Sequence, residues 1–391
     1  MHRRKNAPRF AGRRCVSGDV HSVLEYLESL PLIDHHCHGV LDDDLDRPAF
    51  EAMLTEADTA GPPGVSLFDT QVGFALRRWC APVLDLDAHA EPDAYLARRA
   101  ELGAAEVNRR FLAAAGLEAL CVDTGYTPRA LLDPPALGRL AGARAHEIVR
   151  LETVAEQVAA DGVDAHDFAD EVRSRLAACA PRMAGAKSIA AYRAGLALSG
   201  VRPSDAEVTG AAGILLRQEE MRVCDEILHR FLIWCAVDLG LPVQFHVGYG
   251  DVDADLRRGD PLLLVPLLRA MAEVGAPALL LHNYPFHRRA GYLAQVLANV
   301  YVDAGLATHN LGHRAPALIA ELLELAPFGK VLYSSDAFGL AELYHLGALL
   351  FRRGLAGFLA GGVEDGAWAA ADAERVAGLV ASGNARRVYR L

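Results

Sequence analysis

The sequence predicts an α/β fold, specifically a (β/α)8 TIM barrel with a helical insertion after its first strand. Short apolar runs of strand length alternate with Ala-, Leu- and Arg-rich stretches of helical period, and this alternation occurs eight times. Such repetition is typical of a closed parallel barrel ringed by helices rather than of an open sheet. The length of 391 residues suits one barrel with insertions, although two average domains would also fit it.

The predicted strands follow one another along most of the chain. They lie near residues 31–37, 118–123, 146–151, 183–189, 241–247, 277–282, 298–303 and 330–335. The clearest helix candidates are residues 213–238, 261–274, 288–297, 314–326 and 370–381. Each strand candidate is a short apolar run, whereas each helix candidate carries its apolar residues at helical spacing.

A long segment separates the first two predicted strands. Residues 45–115 have mostly helical periodicity, and the break Gly61-Pro62-Pro63-Gly64 lies inside them. We expect a lid-like helical insertion at about 45–115 over the barrel mouth. A separate small domain is the alternative, but no low-complexity linker marks its edges. Residues 1–22 are expected to be a flexible basic arm and residues 23–391 a single barrel domain.

Composition and charge narrow the range of partners. The net charge of −11 argues against nucleic acids and anionic membranes, which favour a basic surface. No apolar run is long enough to span a membrane, and no apolar stretch of a secretion signal follows the basic residues 1–14. Seven cysteines without a CxxC pair favour reduced thiols and a cytoplasmic location. We therefore expect a small-molecule substrate and no nucleic-acid or membrane partner, and leave a homo-oligomer open.

A His-x-His pair ends the first predicted strand, in Leu32-Ile33-Asp34-His35-His36-Cys37-His38. Side chains alternate along a strand, so His36 and His38 should point to one side while His35 and Cys37 point to the other. Two imidazoles on one side can bind a single metal ion of the zinc type. A solvated histidine-rich loop is the alternative.

Polar residues also end several later strands. His246 ends the fifth, His282 the sixth and Asp336 the eighth. In a parallel barrel these ends meet on the face that carries the active site, and we expect Asp336 to be catalytic. The acids expected only to cap the next helix or to pair locally are Asp123, Glu152 and Asp303. The histidines expected to be solvated are His287, His309, His313 and His345.

Lys187 lies within the fourth predicted strand, in Gly185-Ala186-Lys187-Ser188. A buried lysine needs a partner, because its charge is costly away from water. Three interpretations stay open: a salt bridge, a contact with a substrate carboxylate, and carbamylation of the amine.

Together these residues resemble the amidohydrolase superfamily, which comprises metal-dependent hydrolases on a (β/α)8 barrel. That family has a His-x-His on strand one, in some members a Lys on strand four, a His on strands five and six, and an Asp on strand eight. The matching residues here are His36, His38, Lys187, His246, His282 and Asp336. The segments 245–251, 282–288 and 331–337 are similar to the "amidohydrolase 2" branch and, within it, to FluG-like metal-dependent hydrolases.

The resemblance implies a divalent metal ion, with zinc favoured and manganese or another divalent ion as alternatives. One or two ions would be held by His36, His38, His246, Asp336, Lys187 and His282, with two ions if Lys187 is carbamylated. Such an ion lowers the pKa of a bound water towards about 7. Asp336 would act as general base and then general acid, and His282 would polarise the substrate carbonyl or hold a second ion.

The implied reaction is hydrolysis of an amide or related C–N bond in a small polar substrate, with γ-glutamyl amides as candidates. A non-oxidative decarboxylase on the same scaffold is the first alternative, and a catalytically inactive metal-binding regulatory protein is the second. The expected substrate contacts are the candidate carboxylate clamps Lys187, Arg257 and Arg288 and the pocket-wall aromatics Tyr126 and Trp79.

Overall fold

The computed structural model describes residues 25–59, 61–126 and 128–391, and the expected basic arm at 1–22 lies outside them. Seven strands form one parallel sheet in sequence order. They are β1 (Leu32–Cys37), β2 (Leu117–Asp123), β3 (Arg144–Arg150), β4 (Met183–Ser188), β5 (Val243–Val247), β6 (Ala278–His282) and β7 (Val300–Val302). Each of the first seven predicted strands therefore coincides with an observed one.

Residues 331–337 take the place of the eighth predicted strand and close the ring. The backbone N–H of Leu332 donates to the carbonyl of Val302 in β7 at 3.0 Å. On the other side, the N–H of His35 in β1 donates to the carbonyl of Tyr333 at 3.1 Å. Because this segment joins β7 to β1, the sheet curls into a closed barrel and the predicted fold is confirmed.

The closing segment is not a regular strand, because a side chain interrupts its ladder. The N–H of Ser335 donates to the Asp34 carboxylate at 2.9 Å rather than to a backbone carbonyl. Asp336 then has φ of +51°, a left-handed conformation that Asp adopts more readily than most residues. The predicted strand at 330–335 is therefore an irregular extended segment that turns at Asp336.

Helices cover the outside of the barrel, mostly between successive strands. They are α1 (Arg47–Ala52), α2 (Gln71–Ala75), α3 (Pro92–Leu102), α4 (Ala104–Ala115), α5 (Pro134–Ala141), α6 (Leu151–Ala160), α7 (Phe168–Cys179), α8 (Asp205–Leu215), α9 (Glu226–Asp238), α10 (Val265–Glu273), α11 (His287–Val296), α12 (Ala307–Asn310), α13 (Ala315–Leu322), α14 (Ala341–Glu364), α15 (Ala370–Gly378) and α16 (Asn384–Tyr389). The prediction of one helix over 213–238 is wrong. The Asp225 carboxylate accepts from the N–H of Ile227 at 2.8 Å and begins α9 as a separate helix.

The longest helix, α14, is part of the core. Leu346, Phe351 and Leu355 are among its buried residues, and it packs against α4 and α13. Within the described ranges it is the one helix whose length and apolar composition would suffice to cross a membrane. Its packing between other helices accounts for an apolar composition of this kind.

The segment between β1 and β2 contains α1 to α4 and several short turns. Phe50 and Phe68 from this segment are fully buried in the same apolar core as the barrel strands. Arg99 on α3 pairs with Glu342 in the first turn of α14, with Nε and Oε1 2.8 Å apart. Residues 52–58 line the main pocket of the barrel. This part of the segment therefore borders the barrel mouth.

Candidate metal centre

β1 and the closing segment bring three side chains together that are far apart in sequence. His36 Nε2 lies 3.0 Å from Asp336 Oδ1, and His38 Nε2 lies 3.3 Å from the same oxygen. All three side chains place a ligand atom within 4.8 Å of the others. His35 points away from this cluster and its Nδ1 lies 3.0 Å from the hydroxyl of Tyr389.

Hydrogen bonds fix which nitrogen of each imidazole faces the cluster. His36 Nδ1 lies 2.9 Å from Gln244 Oε1, and His38 Nδ1 lies 3.2 Å from the backbone carbonyl oxygen of Asp123. Carbonyl oxygens accept but do not donate, so Nδ1 carries the proton in both rings. Each Nε2 therefore presents a lone pair towards Asp336 Oδ1.

This convergence of lone pairs fits a bound cation. Asp336 Oδ1 is buried and has no hydrogen-bond partner in the described part of the chain. Burial, assisted by the nearby Lys187, lowers the pKa of His36 to about 4, so the ring is neutral at neutral pH. Two neutral imidazoles and a carboxylate that face one another are a suitable ligand set for a zinc-type ion.

His282 and His246 extend this donor set. Both ring nitrogens of His282 and Nε2 of His246 are buried without a hydrogen-bond partner among the described residues. His282 Nδ1 lies 3.4 Å from Asp336 Oδ2, and the two histidine rings lie 4.6 Å apart. Burial lowers the pKa of both rings, that of His246 to about 3. Both are therefore neutral and able to bind an ion.

Lys187 reaches the same cluster from β4. Its Nζ lies 2.8 Å from His36 Nε2 and 3.5 Å from Asp123 Oδ2. Asp123 also pairs with Arg150, whose Nη2 lies 2.6 Å away. Burial lowers the pKa of Lys187, which favours the neutral amine. Because Nζ faces the lone pair of His36, an unmodified ammonium and a metal ion would compete for the same nitrogen.

A pocket of about 590 Å³ opens onto these residues. His38, Lys187 and Asp336 line it, together with Tyr126. Tyr126 packs against Phe338, with ring centroids 5.2 Å apart. A concave site of this volume, with polar groups that converge at one wall, suits a small molecule.

Three expected substrate contacts do not reach the pocket. Arg257 is 90% exposed and pairs with Asp255 at 2.9 Å, and Arg288 pairs with Glu324 on the outer surface at 3.0 Å. Trp79 packs beside two arginines in the helical shell. The structure therefore does not bring these three expected substrate contacts to the pocket, because each side chain is engaged elsewhere.

Several polar residues of the pocket were not anticipated: Glu56, Arg129, Arg150, Tyr192, Arg193, Arg222, Asp251 and His309. His309 was expected to be solvated but is only 2% exposed, and burial lowers its pKa to about 4. His287 and His345 are also buried, whereas His313 is exposed as expected. Most of the unanticipated residues lie on loops after strands, where apolar periodicity gives no signal.

The three acids that were expected to cap helices or to pair locally are buried in the barrel. Asp123 and Asp303 do pair locally, because they accept from the N–H groups of Gly125 and Gly305, each at 2.9 Å. Asp123, Glu152 and Asp303 each accept a hydrogen bond from another buried group, respectively a guanidinium, a hydroxyl and a backbone N–H. They tie neighbouring strand ends together and so support the side chains of the cluster.

Comparison with known proteins adds an independent line of evidence. The family model described as Amidohydrolase matches residues 33–391. A solved structure from Lactobacillus casei ATCC 334, provisionally assigned as a metal-dependent hydrolase, is 30% identical with a TM-score of 0.82. That match covers 94% of this chain and 97% of the other. Protein fluG from Emericella nidulans (strain FGSC A4) is 26% identical over 95% of this chain and 47% of its own length. The chain thus spans about half of that relative.

More distant structures share the architecture. A uronate isomerase from Bacillus halodurans C-125 has a TM-score of 0.66 at 14% identity, over 97% of this chain and 98% of its own. A second, from Thermotoga maritima, has a TM-score of 0.63 at 12% identity, over 95% and 97% of the two chains. At these identities the likeness concerns the fold alone.

Proposed function

Because this chain belongs to the amidohydrolase family, we propose that it is a metal-dependent hydrolase that cleaves an amide or related C–N bond in a small polar substrate. The observation that carries the proposal is the cluster of His36, His38 and Asp336 at the wall of an accessible pocket. The neutral imidazoles and the carboxylate are the donor types that a hydrolytic zinc site uses.

The residues that would hold the ion are His36, His38 and Asp336, with His246 as a further ligand. A zinc ion bound there would supply Lewis acidity and an activated water at neutral pH. Zinc is the proposed ion because histidine nitrogen dominates the donor set, whereas magnesium and calcium prefer oxygen ligands.

Asp336 is proposed as the residue that moves the proton. Its carboxylate would accept a proton from the attacking water and then deliver it to the leaving nitrogen. His282, 3.4 Å from Asp336 Oδ2, would hold the substrate carbonyl in place or bind a second ion. Its neutral ring suits either role.

The number of ions depends on Lys187. A carbamate on Nζ would convert the amine beside His36 into a carboxylate ligand for two ions. An unmodified ammonium would leave a mononuclear site. Burial lowers the pKa of Lys187, and this direction favours the amine form that carbamylation requires.

The experiment measures metal content, intact mass under non-denaturing conditions, and hydrolysis of an amide panel that begins with γ-glutamyl amides. We expect one or two ions per chain, with the mass of a lysine carbamate if there are two. Asp336→Asn should lower kcat by about 10²–10⁴-fold, whereas the surface control Asp372→Asn should match the wild type. Release of carbon dioxide without an amine would support the decarboxylase alternative, and bound metal without any turnover would support the inactive metal-binding alternative. Absence of metal, even after addition of zinc or manganese, would contradict the proposal.

A further inference from the structure

One basic side chain of the pocket has no acidic partner among the described residues. The basic residues along its wall are Arg129, Arg150, Lys187, Arg193 and Arg222. Three of them are engaged: Arg150 and Lys187 with Asp123, and Arg222 with Asp253 at 2.6 Å. Arg129 is exposed at the rim. Arg193 is therefore the member of this set that is partly buried and without an acidic partner in the described part of the chain.

The Arg193 side chain is partly buried where it lines the pocket. Its Nε and Nη1 are buried, and neither has a hydrogen-bond acceptor among the described residues. A buried donor without an acceptor is costly, and for a charged group the cost is larger. Structures retain such a group where a ligand or ordered water supplies the missing acceptor.

The backbone places Arg193 beside the metal cluster. It follows the short turn Ala190–Tyr192 after β4, and its N–H donates to the carbonyl of Ala190 at 3.0 Å. The preceding Tyr192 packs on His246, with ring centroids 4.2 Å apart. A side chain at Gly250 would clash, because a Cβ there would lie 2.0 Å from the Tyr192 hydroxyl. The turn is thus held closely against the inner wall.

We propose that Arg193 binds a carboxylate of the substrate, so that the enzyme acts on amides whose acyl part carries a second, free carboxylate. A guanidinium offers planar paired donors that match a carboxylate, and an enclosed position strengthens the pairing. This anchor would hold the substrate by its distant end while the scissile bond lies at His36, His38 and Asp336. The position of the scissile bond rests on the proposed function, whereas the binding of a carboxylate by Arg193 does not.

Binding of glutarate, a five-carbon dicarboxylate, tests the anchor without turnover. Calorimetric titration of the zinc-loaded protein should show binding of glutarate and much weaker binding of glutaramide, its uncharged analogue. Arg193→Met should weaken glutarate binding about 10- to 100-fold. Arg193→Lys should recover part of the affinity, because it keeps the charge but loses the planar donors. Arg375→Met, which removes an exposed arginine on α15 outside the pocket, is the matched control and should bind like the wild type.

Equal glutarate affinity in the wild type and Arg193→Met would overturn the proposal, as would wild-type binding of glutaramide as tight as that of glutarate. If Arg193→Met fails to fold, as judged by circular dichroism, the comparison of wild type with Arg193→Lys decides. Failure of the proposed function has a different signature, namely no amide hydrolysis while glutarate still binds through Arg193. For amides that are hydrolysed, Arg193→Met should raise KM for acidic substrates and leave that of neutral ones unchanged.

Discussion

Gln244 determines which nitrogen of His36 faces the pocket. Its Nε2 donates to the backbone carbonyl of His35 at 2.8 Å and to the hydroxyl of Tyr389 at 2.7 Å. The amide can satisfy both acceptors in one orientation only, and that orientation turns Oε1 towards His36 Nδ1. Gln244 would not bind the ion itself, but it fixes the His36 tautomer whose Nε2 lone pair would bind it.

We expect Gln244→Leu to weaken zinc binding by about 10- to 100-fold, because His36 loses the acceptor that fixes its tautomer. Competition with a chromophoric chelator measures the affinity. Gln157→Leu on the exposed side of α6 is the control and should bind zinc like the wild type. Unchanged affinity in Gln244→Leu would show that the tautomer is set elsewhere.

Among individual residues, the sequence predicted the candidate metal ligands better than the residues that line the pocket. The His-x-His alternation, His246, His282 and Asp336 could be found because each ends an apolar run. Arg193 and Glu56 could not, because each lies on an irregular segment whose path depends on tertiary packing. Arg288 lies in the first turn of α11, and a position shortly after β6 does not show which way an arginine turns.

The insertion between β1 and β2 is tied to the barrel by a buried ion pair. Arg99 on α3 and Glu342 on α14 are 4% and 0% exposed, and the hydroxyl of Tyr95 also lies 3.2 Å from Glu342 Oε1. A buried charge that loses its partner is strongly destabilising. This pair therefore couples the segment that carries residues 52–58 to the core helix.

Arg99→Met should lower the free energy of unfolding by about 3–5 kcal/mol, because Glu342 is left buried and unpaired. Urea denaturation followed by circular dichroism measures the change. Arg109→Met, which removes a surface pair with Glu106, should leave the stability close to that of the wild type. A loss in Arg99→Met no larger than in this control would mean that the pair contributes little.

Strands and helices were predicted well where apolar residues recur at one regular spacing along the whole element. The first seven strands and helices such as α11 follow directly from apolar spacing. The eighth strand is irregular because the Asp34 side chain replaces a backbone acceptor at Ser335, and no local pattern reports a partner so distant in sequence. The predicted helix 213–238 is wrong for a local reason. Asp225 caps a new helix there, but the apolar spacing continues across it and so gives no sign of the boundary.

The pocket contains acidic as well as basic side chains, and one acid, Glu56, has a raised pKa. Glu56, on the segment that borders the barrel mouth, is enclosed near Asp336 and Asp251. Burial, and then these two negative neighbours, raise the pKa of Glu56 to about 8. Below that pH the group is neutral, and above it the pocket gains a negative charge that repels an anionic ligand.

In the metal-free protein, glutarate affinity should therefore fall several-fold as the pH rises through about 8. Glu56→Gln should abolish this decrease, because the amide does not titrate. Glu101→Gln, at an exposed position, should retain it. Calorimetric titrations between pH 6 and pH 9 provide the measurement, and a decrease that persists in Glu56→Gln would assign the titration to another group.

The hydroxyl of Tyr389, near the end of the sequence, contacts both His35 and Gln244 at the start and middle of the barrel. During translation the His-x-His pair leaves the ribosome long before Asp336 and Tyr389 have been synthesised. A nascent chain therefore carries loose histidines without the carboxylate or the hydroxyl that complete their surroundings. We therefore expect an ion to bind the folded barrel rather than the growing polypeptide, because only the folded barrel brings the full ligand set together.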